Sequence, residues 1–115
     1  MRPIVVAGAI LAYGVAAAAA QDYSGFVASA KHALTKDFKD PEGANYRGLA
    51  VYRELGGKDL YLCGEVNAKN SFGAFIGYVP FFARPDNVAM KEGADDSLFE
   101  ALKKAACAKR LAAAK

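Results

Sequence analysis

Three apolar segments joined by short turns constrain the fold more than any other feature of this 115-residue chain. Within residues 46–55 and 60–66, apolar side chains alternate along the chain, as in β-strands that pack one face on a core. A glycine pair at 56–57 separates these two segments and indicates a hairpin turn. A third segment, residues 72–82, is rich in aromatic residues and follows a polar turn at 67–71. We therefore predict an antiparallel meander of three strands.

Helical patterns flank the three strands on both sides. Residues 24–39 carry apolar side chains at spacings of three and four, with Ser24 suited to cap the helix and a proline suited to end it. Ser97 and Glu100 form a capping box for a second helix over residues 97–113. The expected buried side of that helix comprises Leu98, Phe99, Leu102, Ala105 and Ala106. We predict an α+β fold, ordered α-β-β-β-α, with both helices covering one face of the meander.

The second face of this sheet carries more aromatic side chains than a solvated surface needs. The residues expected there are Tyr52, Tyr61, Phe75 and Phe81. Residues 84–93 contain a proline and are expected to form an irregular connector to the last helix. An open aromatic face is typical of an interaction surface, so we expect this one to contact a partner.

The N-terminus has the charged, apolar and small-residue order of a secretory signal peptide. Arg2 precedes an apolar stretch at residues 4–15, and the alanines at 16–20 fit cleavage before Gln21. The alternative is a retained membrane anchor, because the uncharged stretch is close to the minimum length for crossing a bilayer. No basic cluster follows the stretch, which favours cleavage. We expect residues 1–20 to be removed and residues 21–115 to form a single α+β domain, periplasmic or secreted and without a membrane span.

The chain has two cysteines, Cys63 and Cys107. In an oxidising compartment an even number of cysteines favours a disulfide. Closing a loop of roughly 45 residues would stabilise the fold by roughly 4 kcal/mol on the chain-entropy model. Two separate buried thiols are the alternative, because Cys107 lies off the centre of the apolar side of its predicted helix.

Two sequence motifs stand out within the central half of the chain. Residues 40–47 read Asp-Pro-Glu-Gly-Ala-Asn-Tyr-Arg, and residues 63–73 read Cys-Gly-Glu-Val-Asn-Ala-Lys-Asn-Ser-Phe-Gly. Together they resemble a family of small, uncharacterised exported proteins of proteobacteria and their phages. The resemblance covers residues 40–82 and departs from the family's pattern at Gly43, where serine is more common. It implies export and a shared fold, and it implies no activity.

The polar segment between the second and third strands is open to two interpretations. Asn67 and Asn70 are suited to a tight turn, because asparagine hydrogen-bonds its own backbone. The same segment is also suited to a recognition loop held by rigid strands. In the second interpretation, the loop presents donors beside the ring of Phe72 or Tyr78. The candidate binding residues are then Asn67, Lys69, Asn70 and Ser71, together with Tyr61 and Phe75 of the aromatic face.

The composition gives little support to catalysis, to metal binding or to nucleic-acid binding. His32 is the only histidine and lies on the flank of a helix, where a solvated histidine is more common than a general base. A nucleophilic Cys63 would need a free thiolate. One histidine and two distant cysteines do not make a closed metal site, and we expect neither a metal nor a cofactor. The formal net charge of +3 is too small to indicate a nucleic-acid partner.

These observations favour a non-enzymatic binding module directed to a protein or another component of the cell envelope. One alternative is a structural, envelope-associated homodimer joined through the aromatic face. Another is an inhibitor of a cell-wall hydrolase, and a cysteine-based enzyme is the least favoured. Arg47 and Glu65 lie on neighbouring predicted strands, where we expect them to form an ion pair with a structural role.

Overall fold

Two helices and five strands make up the part of the chain described by the computed structural model, residues 21–115. The predicted signal peptide, residues 1–20, lies outside the described residues. In chain order the elements are α1 (Ser24–Thr35), a 3-10 turn (Pro41–Gly43), β1 (Asn45–Arg53), β2 (Leu60–Lys69), β3 (Phe75–Arg84), β4 (Asn87–Met90), α2 (Ser97–Ala106) and β5 (Lys109–Ala113). The predicted α+β class is therefore confirmed.

The sheet has five strands in the order β4-β3-β2-β1-β5, and each neighbouring pair is antiparallel. The predicted meander is present as β1, β2 and β3, but the expectation of only three strands was wrong. Strand β4 forms within the expected connector, because a two-residue turn at 85–86 returns the chain along β3. Its four residues are too few to show a clear alternating pattern in the sequence.

Strand β5 replaces the second half of the predicted C-terminal helix. Helix α2 ends at Ala106, and the following residues pair with β1, so that Ala113 lies opposite Ala50. Alanine favours a helix by its intrinsic propensity, but that preference is small and is commonly overridden by tertiary contacts. Here the free edge of β1 supplies backbone partners, and the bond from Cys107 to β2 holds the chain beside the sheet.

The two helices lie on opposite faces of the sheet, which corrects the expectation that both cover one face. Helix α1 packs on the face that buries Leu62 and Phe81, whereas α2 packs on the face that buries Tyr61 and Phe82. Neighbouring residues of a strand point to opposite faces, so these two sets lie on different sides. The expected open aromatic face is therefore covered by α2 over part of its length, and Phe81 belongs to the α1 core.

Helix α2 contacts the sheet through a narrower side than its sequence pattern predicted. Phe99 and Ala106 are buried, but Leu98 is 68% exposed and Leu102 is 49% exposed. The ring of Phe99 stacks on Phe82, with 5.4 Å between the ring centroids. Helix α2 is also held by the disulfide at its C-terminal end, by the hydrogen bond that the Leu55 N–H donates to Ala105 O at 2.8 Å and by an ion pair between Lys91 and Glu100.

The caps of the two helices differ in detail from the predicted ones. Asp96, rather than Ser97, caps α2, because its Oδ1 accepts a hydrogen bond from the Phe99 N–H at 3.0 Å. At the start of α1 the side chain of Asp22 accepts a hydrogen bond from the Ser24 N–H at 2.9 Å. In both places an aspartate stabilises the helix N-terminus from just outside it.

Candidate functional site

The two cysteines form a disulfide, which confirms the predicted Cys63–Cys107 pair. Cys63 lies in β2 and is 3% exposed, whereas Cys107 follows the last residue of α2. Within residues 21–115 there is no free cysteine. With both sulfurs bonded, Cys63 has no thiolate to act as a nucleophile.

The turn between β2 and β3 is built by the two asparagines that the sequence analysis singled out. Asn70 Oδ1 accepts hydrogen bonds from the N–H groups of Phe72 (2.9 Å) and Ala74 (3.2 Å). Asn67 Oδ1 accepts one from the Gly77 N–H at 2.9 Å, where the pairing of β2 with β3 shifts register. Both side-chain oxygens therefore hold the shape of the hairpin.

Three exposed apolar side chains lie beside this turn, and we call them the hairpin tip: Phe72, Phe75 and Ile76. Phe72 is 93% exposed, Ile76 is 61% exposed and Phe75 is 44% exposed. Sequence reasoning named Phe75 as a candidate binding residue and Phe72 as a ring beside the turn, and it missed Ile76. The available signal was the unbroken apolar run from residue 72 to residue 76, which lacks the polar alternation of a half-buried strand.

The other predicted binding residues lie in different environments. Lys69 Nζ is 3.7 Å from Asp40 Oδ2 and 5.3 Å from the ring centroid of Phe75, at the base of the hairpin tip. Ser71 is exposed on the turn. Tyr61 is 8% exposed and packs edge to face on Phe82, so the structure places it in the core beneath α2 and away from the hairpin tip.

Arg47 and Glu65 form the predicted cross-strand ion pair, with Arg47 Nε donating to Glu65 Oε1 at 2.7 Å. A bulge at Gly48, which has a φ of 66°, shifts the pairing of β1 with β2. Arg47 lies opposite Glu65 before the bulge, and Val51 lies opposite Leu62 after it. The guanidinium carbon lies 4.1 Å from the ring centroid of Tyr78. The hydrogen bond to Glu65 raises the pKa of Arg47 above its ordinary value, so this side chain is cationic at all physiological pH values.

A groove of about 640 Å³ lies between this ion pair and helix α2, and we call it the α2 groove. Its volume lies within the usual range for small-molecule sites. The residues that line it are Arg47, Gly48, Tyr52, Cys63, Gly64, Glu65, Pro80, Glu100, Lys103, Lys104 and Cys107. The sequence analysis did not identify it, because the covering helix was expected on the other face of the sheet.

The remaining titratable groups form no metal-binding cluster in the described part of the chain. His32 is exposed on α1, away from both the hairpin tip and the α2 groove. Among residues 21–115, no three His, Cys, Asp or Glu side chains are grouped so as to hold a metal ion. No helix in this range has the length and apolar character needed to cross a membrane.

The hairpin tip and the α2 groove are thus the two surfaces on which a function can be built. Comparison of the chain with family models, with curated proteins and with solved structures found no match. The family resemblance of the two motifs accordingly remains an expectation from sequence.

Proposed function

We propose that this chain is an exported, non-enzymatic binding domain that contacts a protein of the cell envelope through its hairpin tip. The observation that carries the proposal is the exposure of Phe72 and Ile76 on a turn whose backbone is fixed by Asn70. Aromatic side chains that enter a pocket of the partner dominate many protein interfaces.

The energetics of the hairpin tip favour a contact of this kind. Moving a large apolar side chain from water into a well-packed environment is worth about 1.5–3 kcal/mol. Because Phe72 is almost fully exposed, nearly all of this free energy is available when a partner buries its side chain. The hydrogen bonds of Asn67 and Asn70 order the turn before binding, which lowers the entropic cost of association.

The export part of the proposal is supported by the N-terminal sequence pattern and by the disulfide, which is compatible with an oxidising compartment. The test is the intact mass of the protein purified from separated cell fractions, measured after alkylation of free thiols. We expect a periplasmic or secreted species that begins at Gln21 and takes up no alkylating reagent. A cytosolic species that retains its leader and two reactive thiols would contradict the proposal.

The binding part can be tested by placing a photocrosslinking amino acid at position 72 in living cells. We expect one discrete crosslinked protein species, which weakens when Phe75 and Ile76 are both changed to serine. The matched control carries the crosslinker at the exposed position 36, directly after α1. Lys36 lines a cavity with Pro85, which follows the end of β3 opposite to Phe75. Equal crosslinking from positions 72 and 36 would refute a specific role for the hairpin tip.

The identity of the crosslinked species distinguishes the alternatives. A second copy of this chain would indicate the homodimer, and a cell-wall hydrolase would indicate the inhibitor. The protruding shape of the hairpin tip suits entry into a concave cleft, so purified hydrolase identified in this way should lose activity when the domain is added. The Phe72→Ser variant should leave that activity unchanged.

A further inference from the structure

Arg47 is held in an orientation that leaves part of its hydrogen-bonding capacity unused. Its Nε donates to Glu65, and its planar face lies against the ring of Tyr78. Within residues 21–115, the hydrogen bond and the ion pair of Arg47 both run from Nε to Glu65, which leaves Nη1 and Nη2 for other partners. An arginine fixed by Nε and by stacking presents its two Nη groups as a fork that matches a carboxylate or a phosphate.

The α2 groove next to this arginine carries an excess of positive charge. Its two acidic residues are already engaged, Glu65 with Arg47 and Glu100 with Lys91, whose Nζ lies 2.9 Å from Glu100 Oε2. Lys103 and Lys104 line the same groove, and neither belongs to any of the five ion pairs in the described part of the chain. Two ammonium groups are thus left unneutralised on the wall that α2 contributes.

The walls and floor of the α2 groove are fixed by the fold. Gly48, Gly64 and Pro80 line the groove on the side of the sheet. A Cβ at position 64 would lie 2.9 Å from Leu49 Cδ2 and 3.1 Å from the Arg47 carbonyl oxygen, so packing on the α1 side of the sheet favours glycine there. The disulfide at Cys107 holds the C-terminal end of α2 against the sheet and thereby sets the width of the groove.

We propose that the α2 groove is a binding site for an oxyanionic ligand, one whose carboxylate or phosphate groups are held by Arg47 on one side and by Lys103 and Lys104 on the other. The ligand carries at least two anionic groups, because the cationic side chains belong to two different walls. This site is separate from the hairpin tip and does not depend on the function proposed above.

The test is isothermal titration of the purified, oxidised domain with citrate and, in a second arm, with pyrophosphate, at constant ionic strength in chloride buffer. We expect saturable binding with one site per molecule, and the two arms distinguish a carboxylate ligand from a phosphate ligand. Arg47→Lys keeps the charge and loses the fork, so we expect affinity to fall about tenfold. The Lys103→Gln/Lys104→Gln variant should weaken binding by at least as much.

The matched control is Lys36→Gln/Lys39→Gln, which removes the same charge from exposed positions that follow α1 and do not line the groove. We expect its affinity to stay within about twofold of wild type, since exposed charges beyond a Debye length are screened. Thermal unfolding of each variant checks that it is folded. The proposal is overturned if neither anion binds saturably, or if the control weakens binding as much as the groove variants do.

Discussion

Removal of the Cys63–Cys107 bond is the perturbation whose effect can be worked out most fully from the structure. The bond closes a loop with a sequence separation of 44. On the chain-entropy model a loop of this length restricts the unfolded chain enough to stabilise the native state by about 4 kcal/mol. Small domains have a total free energy of unfolding of about 5–15 kcal/mol, so the bond accounts for a large share.

The stability lost on removal of the disulfide should also differ between parts of the molecule. Helix α2 buries only Phe99 and Ala106, and the disulfide is its covalent attachment to the sheet. Helix α1 packs on the opposite face against a larger buried cluster. We therefore expect the amides of α2 and β5 to exchange with solvent sooner than those of α1 once the bond is cut.

The assay is urea unfolding followed by circular dichroism, for the oxidised protein, the reduced protein and the Cys63→Ala/Cys107→Ala variant. Reduction leaves both sulfur atoms in place, so the difference between the reduced protein and the double variant isolates the packing lost at the buried Cys63. The oxidised protein should be more stable than the reduced one by about 4 kcal/mol, or roughly 15–30 °C in Tm. A difference below about 1 kcal/mol would refute the loop-closure reasoning.

Two further predictions concern single aspartate and asparagine side chains. Asn70→Ala removes the acceptor of two backbone hydrogen bonds and should lower the free energy of unfolding by about 1 kcal/mol, whereas the neighbouring Ser71→Ala should leave urea unfolding unchanged. The pKa of Asp96 is lowered from 3.8, chiefly by the backbone hydrogen bond from Phe99 and next by that from Glu92. The charged form of Asp96 therefore stabilises the fold at pH values above the pKa that Asp96 has in the unfolded chain. This stabilisation is lost as the pH falls through the lower pKa that Asp96 has in the folded protein. Asparagine at position 96 can still cap α2 but does not titrate. The Tm of wild type minus the Tm of Asp96→Asn should therefore decrease as the pH is lowered from about 6 to about 3. A Tm difference that stays constant over this range would contradict the assignment.

The central meander could be predicted from sequence because its signals are local. The glycine pair at 56–57 and the asparagines at 67 and 70 mark the two turns, and the strands between them are long. The disulfide could be predicted because only one pairing of two cysteines exists. The placement of α1 and α2 on opposite faces could not be predicted in the same way. Helical periodicity shows which side of a helix is buried, but it does not show which face of the sheet that side contacts.

A signal for the second buried face was nevertheless present in the sequence. Tyr61, Leu62 and Cys63 are consecutive apolar residues, and residues 81–83 form a similar run in the neighbouring strand. Such runs indicate strands that are buried on both faces, whereas alternation with polar residues indicates one solvated face. The α2 groove exists because α2 packs on this second face and forms one of its walls. The groove could therefore not be predicted once both helices were expected on the other face.

Strand β5 comes after the other described strands in the chain, although its partner β1 is the first strand of the sheet. Until residues 109–113 have left the ribosome, β1 has an uncovered edge of backbone amides and carbonyls that invites pairing with another chain. A nascent chain of this protein is therefore prone to self-association if it folds early. Passage through a membrane in an extended state, with folding postponed to the far side, would avoid that risk.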